Sequence, residues 1–167
     1  MNKTLNTASW LTSRCLVFFL IASTAEIIIS EKISAASLEV IGACASKPIF
    51  HFEASEVKGR SLGDLTVELF DNENIAYIGT SQGIHSINRL PNESETLEMI
   101  SSSEMRAYGW CFELNGDLPE HYANEVILAS DSDKIVWFFG FAHYLNGQWI
   151  SQCEKSYLNP SDFLCSN

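Results

Sequence analysis

The sequence predicts an α+β fold made mostly of antiparallel sheet, with one short helix and two disulfides. Several short segments alternate large apolar with polar residues, the pattern of a half-buried strand. Two Asn-Gly pairs, Asn115-Gly116 and Asn146-Gly147, follow such segments and favour tight hairpin turns, because both residues tolerate positive φ. Four cysteines lie beyond the N-terminal segment, and an even number suits two disulfides.

The N-terminal segment has the layout of a secretory signal peptide. Lys3 and Arg14 are the only charged residues before Glu26, and an apolar run covers residues 15–22. Small residues follow, so that Ala25 suits the position before a signal-peptidase cut. We therefore expect a secreted or periplasmic protein. An uncleaved membrane anchor is the alternative, but the apolar run is short for a bilayer.

These signals divide the chain into three parts. We expect a signal peptide over residues 1–25, a flexible lead-in over 26–37 and a single domain over 38–167. A second possible cleavage point follows Ala36, where Ser34 occupies the −3 position. The chain has 167 residues, and 46% of them are hydrophobic. That composition fits one compact domain behind a short N-terminal extra.

The first half of the domain predicts three strands and the helix. Residues 38–44 alternate as a first strand, and 49–52 continue in extended form after a proline. Residues 65–70 alternate apolar and polar side chains, so we expect a strand there. Residues 80–89 begin with Thr-Ser, a helix-capping pair, and carry spaced isoleucines, which favours a short helix. Residues 96–100 complete this half as a short strand.

The second half predicts four strands. Large residues alternate over 108–114 and again over 134–145, and the Asn-Gly pairs follow each of these segments. Residues 124–129 and 148–153 supply the other two strands. Phe138 breaks the alternation of its strand, which places an aromatic ring on the second face of the sheet.

The cysteines predict a covalent framework for an exported fold. Cys15 falls inside the expected signal, which leaves Cys44, Cys111, Cys153 and Cys165 for two disulfides with three possible connectivities. A zinc site is the alternative. However, no Cys-x-x-Cys pair occurs and no histidine stands at ligand spacing from a cysteine. We expect no metal and no other cofactor.

Charge and motif content argue against several function classes. The formal net charge is −11 and the basic residues are scattered, so binding to nucleic acid or an anionic membrane surface is not expected. The chain has no Gly-x-Ser-x-Gly, His-Glu-x-x-His or glycine-rich phosphate loop, and its four histidines are dispersed. Asp131-Ser132-Asp133 lacks the glycine and later glutamate of a calcium loop, so we interpret it as a turn. We do not expect an enzyme.

Aromatic residues are the remaining candidates for function. They are dense on strands that should be neighbours, and they give four candidate ligand-binding residues: Trp110, Trp137, Phe139 and Trp149. Such rings could stack on a flat ligand or dock a partner. The alternative is that they are core and cross-strand pairs with no ligand.

Residues 106–139 contain a Gly-Trp strand ending in Asn-Gly, a small residue before the next strand, and an acidic turn before a strand with an aromatic pair: Gly109-Trp110, Leu114-Asn115-Gly116, Ala123, Asp133, Trp137 and Phe139. In these motifs the chain resembles the transcobalamin-like C-terminal domain family. The resemblance implies a β-grasp-like fold related to soluble-ligand-binding domains. In cobalamin carriers a similar domain helps to enclose the corrinoid, together with a large helical domain that this chain lacks.

Two functions follow from these observations. The first is an exported, non-catalytic binding module for an unknown small ligand or protein partner. The second is a structural or host-facing interaction protein that presents a disulfide-braced sheet. A contiguous exposed aromatic patch beside a concave pocket would favour the first.

Overall fold

The computed structural model describes residues 34–92 and 96–165. All of them belong to one compact unit, Lys32–Asn167. The expected signal peptide, Cys15 and most of the expected lead-in lie outside the described residues. The first strand begins at Ala36, within the last residues of that lead-in. None of the helices among the described residues combines the length and the apolarity that crossing a membrane requires.

Eight strands and one long helix make up the described domain. In chain order the elements are β1 Ala36–Ile41, β2 Phe50–Ala54, α1 Leu62–Asn72, β3 Tyr77–Thr80, β4 Gly83–Ile87, β5 Leu97–Ser101, β6 Glu104–Leu114, β7 Lys134–Leu145, β8 Gln148–Lys155, a 3₁₀ turn Ser156–Leu158 and α2 Asp162–Cys165. The prediction of a mostly antiparallel sheet with few helices and two disulfides is confirmed.

The main sheet is organised around β7. Its strand order is β2-β1-β7-β6-β5, and every neighbouring pair is antiparallel except β1 with β7. β6 pairs with β7 along one edge from Ile135 to Leu145. On the other edge β1 pairs with the first part of β7 and β8 pairs with the last part. β3 and β4 form a separate two-stranded sheet.

The core lies between α1 and one face of this sheet. We call this face, which carries Trp137, the inner face, and the opposite face, which carries Phe138, the outer face. Leu62, Leu65 and Phe70 of α1 are fully buried in one cluster with Trp137. The Trp137 Nε1–H donates to Thr66 Oγ1 of the helix at 3.0 Å. Burial and this hydrogen bond fix the helix over the first half of β7.

The prediction of a strand over residues 65–70 is wrong, because α1 occupies this segment. The positions buried along it are Leu62, Gly63, Leu65, Thr66 and Phe70, which recur at helical rather than alternate spacing. Ser61 caps the helix by accepting the Asp64 N–H at 3.0 Å. Since Val67 and Leu69 are also partly buried, their alternation with Leu65 resembled a strand.

The prediction of a helix over residues 80–89 is also wrong, because β3 and β4 form a hairpin there. Thr80 Oγ1 accepts the Gln82 N–H at 3.2 Å, so this side chain serves the hairpin turn instead of a helix cap. The burial of Ile84 and Ile87 is confirmed. Residues 124–129 likewise form no sheet strand. Asn124 and Glu125 lie in a turn, and the following residues pair with Arg60 and Leu62 through backbone hydrogen bonds, with a single bridge from Ser61 to Ile127.

The predictions of strands over residues 108–114, 134–145 and 148–153 are confirmed. β6, β7 and β8 cover the expected segments, and both Asn-Gly pairs turn with positive φ, at 55° for Asn115 and 48° for Asn146. Phe138 lies on the outer face, in a small cluster with Ile41 and Val136. The Asn-Gly turns and the alternation of apolar and polar residues thus favour the same strand register in this region.

Asp133 organises the turn before β7. Its carboxylate accepts the Asn115 amide at 3.0 Å and the backbone N–H groups of Ala129 and Ser130 at 2.8 and 3.1 Å. Burial by itself would raise the pKa of Asp133, but these hydrogen bonds outweigh burial and lower the pKa below its usual value. Through these hydrogen bonds, Asp133 connects the turn after β6 with the turn before β7.

We expect Asp133→Asn to lower the free energy of unfolding at pH 7 by about 1–3 kcal/mol, because an amide nitrogen would replace one acceptor with a donor. Since folding lowers the pKa of this carboxyl, its contribution is present above the unfolded pKa of about 3.9 and is lost as the pH falls through the lower folded value. Urea unfolding measured from pH 7 down to about pH 2 should show a weaker acid dependence in Asp133→Asn. Exposed Asp117→Asn is the control, and an equal effect there would contradict the assignment.

Candidate functional site

An apolar ridge crosses the outer face near the C-terminal end of β7. The strand registers place Met99 of β5 opposite Met105 of β6, Met105 opposite Tyr144 of β7, and Tyr144 opposite Trp149 of β8. Directly paired residues share a face, so these four side chains form one row across four strands. The Tyr144 and Trp149 rings meet edge to face at 5.2 Å. Met99 remains 61% exposed and Trp149 50% exposed.

A shelf of small residues adjoins this ridge. The next two paired positions towards the middle of the sheet are Ala107 opposite Ala142 and Gly109 opposite Gly140. A Cβ placed on Gly109 would meet no heavy atom within 4 Å, so the space above Gly109 is open. A cavity of about 220 Å³ lies over these four residues, and Gln152 and Cys153 border it.

The C-terminal part of β8 forms the wall of the shelf. The β7–β8 register shifts after Phe141, and Cys153 adopts a positive φ of 53°. A Cβ on Gly140 would lie 2.7 Å from the Glu154 carbonyl oxygen, so β8 approaches the outer face here closely enough to require glycine. The Cys111–Cys153 disulfide fixes β8 to β6 at this point.

An ion pair lies on the remaining part of the outer face. Lys155 Nζ contacts the Glu113 carboxylate at 2.7 and 2.9 Å and lies 5.3 Å from the Phe138 ring centroid. The hydrogen bond to Glu113 raises the pKa of Lys155, and burial opposes that shift. This end of the face is therefore charged, and a cavity of about 500 Å³ bordered by Glu113 and Lys155 lies there, while the ridge and the shelf carry no charged side chain.

The structure does not bring the four predicted ligand-binding residues together. Trp137 and Phe139 belong to the inner face, where they are 1% and 0% exposed. Trp110 is half-buried on the same face, donates its Nε1–H to the Leu90 carbonyl at 2.7 Å and packs against Phe139 at 5.4 Å. Trp149 alone of the four lies on the outer face. It is the member of the set that offers its ring to solvent.

Sequence reasoning missed the other parts of this surface. Met99 and Met105 are isolated apolar residues in the sequence, and the shelf consists of residues without functional groups. A signal was nonetheless present in the alternation of β6 and β7. The positions between the aromatic residues are Ala107 and Gly109 on one strand and Gly140 and Ala142 on the other.

A polar network at the same end of the inner face ties down the C-terminal tail. Glu98 accepts the Tyr108 hydroxyl at 2.6 Å and the Ser161 hydroxyl at 2.7 Å, and Arg106 lies 3.8 Å away. Burial, together with the hydrogen bond to Glu98, raises the pKa of Tyr108, so this hydroxyl stays a donor. Across residues 34–92 and 96–165, no three His, Cys, Asp or Glu side chains converge as a metal site would require.

Comparison with known proteins gives little beyond this geometry. No family model matches the chain, and no curated protein matches it. Among solved structures, a candidate metal-binding protein from Ruminococcus gnavus is similar, with a TM-score of 0.40 and 17% sequence identity. The match covers 64% of this chain and 95% of the other. At that distance the likeness carries no inference about function.

Proposed function

We propose that this chain is an exported, non-catalytic binding module whose shelf holds a small, flat, apolar ligand. The carrying observation is the open shelf itself: an uncharged, concave apolar surface on a chain of net charge −11. Ligand sites are mostly apolar concavities with a few polar groups, and exposed apolar surface of this kind commonly marks a binding site.

The shape of the surface favours a flat ligand. The floor is backbone and small side chains, so a planar molecule can lie against it without displacing anything. Tyr144 and Trp149 stand at one end and provide ring contacts. Gln152 stands at the border and provides a polar contact. Because β8 and its disulfide wall the shelf, the site is preformed and loses little entropy on binding.

The finer fold and family assignments belong to the same proposal. A hairpin of β1 and β2, a helix crossing the inner face and a parallel pairing of β1 with β7 support a β-grasp-like arrangement. The Gly109-Trp110 and Leu114-Asn115-Gly116 motifs support relationship to the transcobalamin-like C-terminal domain family. The two disulfides indicate an oxidising environment, which accords with export through an N-terminal signal peptide.

We expect Gly109→Leu to weaken the binding of a flat apolar probe at least tenfold, because the leucine would fill the open space above the shelf. The probes are Nile red, which is flat and uncharged, and a set of corrinoids. Titration of the purified mature protein, followed by probe fluorescence or tryptophan quenching, measures the affinity. Trp149→Ala should also weaken binding, since it removes the exposed ring at the end of the shelf.

Gly83→Leu is the matched control. Gly83 is also a strand glycine with nothing within 4 Å of its Cβ position, and it lies on β4, away from the outer face. Both leucine variants should keep the thermal midpoint of the parent protein. Equal probe affinity in Gly109→Leu and Gly83→Leu would reject the shelf as the site. If none of the probes binds, the alternative is favoured, namely a protein that acts by presenting its surface to a partner.

A further inference from the structure

The edge of β5 that faces away from β6, which we call its outer edge, is unpaired among residues 34–92 and 96–165. β5 pairs with β6 on one side, and no described strand pairs with its other side. The Tyr108 N–H donates to the Thr96 carbonyl at 2.9 Å, so Thr96 is in a hydrogen-bonded pair of this ladder. Since such pairs alternate in antiparallel sheets, Glu98 is in the next one, and the backbone groups of Leu97 and Met99 point away from the sheet.

The side chains of β5 do not protect this edge. Leu97, Met99 and Ile100 are 47%, 61% and 43% exposed. Glu98, the one charged residue of the strand, is turned to the inner face and held there by Tyr108. Natural edge strands are usually blunted by outward charges or proline.

The opposite edge of the sheet is protected in that way. On β2, His51 and Glu53 are exposed, and their side chains contact each other at 2.9 Å. Pro48 precedes the strand. The unprotected edge of β5 thus contrasts with the protected edge of β2.

We propose that the outer edge of β5 receives an extended segment of another polypeptide as an added strand. Its backbone would pair with the outward groups of Leu97 and Met99. Its outer-face side chains would be apolar, because they would extend the rows that begin with Leu97 and Met99. Its other side chains would be basic, because the chain carries 21 acidic residues against 10 basic ones and attracts cationic partners.

A second copy of this chain fits the edge less well. Antiparallel pairing of two β5 strands about Glu98 would join the outward groups of Leu97 and Met99, but it would set the two Glu98 side chains opposite each other. Pairing about Met99 would need the outward groups of Ser101, and the register of the strand already shifts between Met99 and Ser101. The net charge of −11 on each copy opposes both arrangements.

The test uses a synthetic peptide of alternating valine and lysine, titrated into the mature protein by fluorescence anisotropy. A matched peptide carries N-methyl groups on alternate backbone amides, which removes hydrogen-bond donors and keeps every charge and side chain. We expect the N-methylated peptide to bind at least tenfold more weakly. Equal affinity of the two peptides would overturn the proposal, because it would show that charge alone drives binding.

Met99→Pro tests the protein side. The Met99 N–H makes no bond to β6 in this register, so proline there removes an outward donor while the ladder is kept. Met99→Leu is the control for the side chain. We expect at least tenfold weaker peptide binding for Met99→Pro and near-parental binding for Met99→Leu, with folding of both checked by circular dichroism. Unchanged binding in folded Met99→Pro would overturn the proposal.

Two further readouts distinguish peptide capture at this edge from self-association and from binding at the shelf. Sedimentation of the parent protein alone should show a monomer, and a dimer that Met99→Pro dissociates would assign the edge to a second copy instead. Gly109→Leu should bind the peptide as the parent does, because Gly109 lies on β6 and supplies no backbone group to the free edge of β5. Failure of the shelf proposal and failure of the edge proposal are thereby distinguished.

Discussion

Replacing both Cys44 and Cys165 with serine is expected to lower the free energy of unfolding by about 5 kcal/mol. This disulfide joins residues 121 apart in sequence, and a cross-link that closes so long a loop removes much of the entropy of the unfolded chain. It also holds the C-terminal tail, where Leu164 and Cys165 pack beside Ala43. Chemical denaturation of the double variant, with the other disulfide intact, measures the loss.

The second disulfide provides an internal comparison. Cys111 and Cys153 are 42 residues apart in sequence. The same entropy argument therefore gives their double serine variant a smaller loss in the free energy of unfolding, about 4 kcal/mol. Each variant leaves no unpaired cysteine in the described domain. A larger loss for Cys111 and Cys153 than for Cys44 and Cys165 would show that native contacts, and not loop length, dominate the stabilisation.

The substitution Trp137→Ala is expected to lower the free energy of unfolding by about 3–5 kcal/mol, because the indole is fully buried between the sheet and α1. The change leaves a cavity against Phe112, whose ring centroid is 5.1 Å from that of Trp137. It also leaves Thr66 without the indole donor. Urea unfolding followed by circular dichroism measures the effect.

Trp149→Ala is the matched tryptophan deletion. Half of this indole is already exposed, so we expect a loss below about 1 kcal/mol. The two variants should therefore separate stability from binding: Trp137→Ala weakens the fold, and Trp149→Ala weakens probe binding on the shelf. Similar destabilisation by both would contradict the division between inner and outer faces.

The sequence predicts β6, β7 and β8 well for a physical reason. Over β6, β7 and β8, alternation, aromatic content and Asn-Gly turns all favour the same hairpins. In the first half the local signals conflict. Leu65, Val67 and Leu69 alternate as in a strand, but α1 buries Leu62, Leu65 and Phe70 once a sheet is present to cover.

The candidate site was harder to predict, because alternation assigns residues to two faces without saying which face is covered. β7 carries aromatic side chains on both faces, with Trp137 and Phe139 on one and Phe138 and Tyr144 on the other. The covered face is set by α1, which the sequence does not identify as a helix. The position of α1 decides that Trp137 is core and Trp149 is accessible.

The parallel pairing of β1 with β7 also constrains how the domain folds. The two strands lie near opposite ends of the described chain, so the sheet cannot close until β7 has left the ribosome. Contacts so distant in sequence are slow to form, whereas the hairpins of β5, β6, β7 and β8 are local. We expect the C-terminal hairpins to form first and the β1–β2 hairpin to dock last.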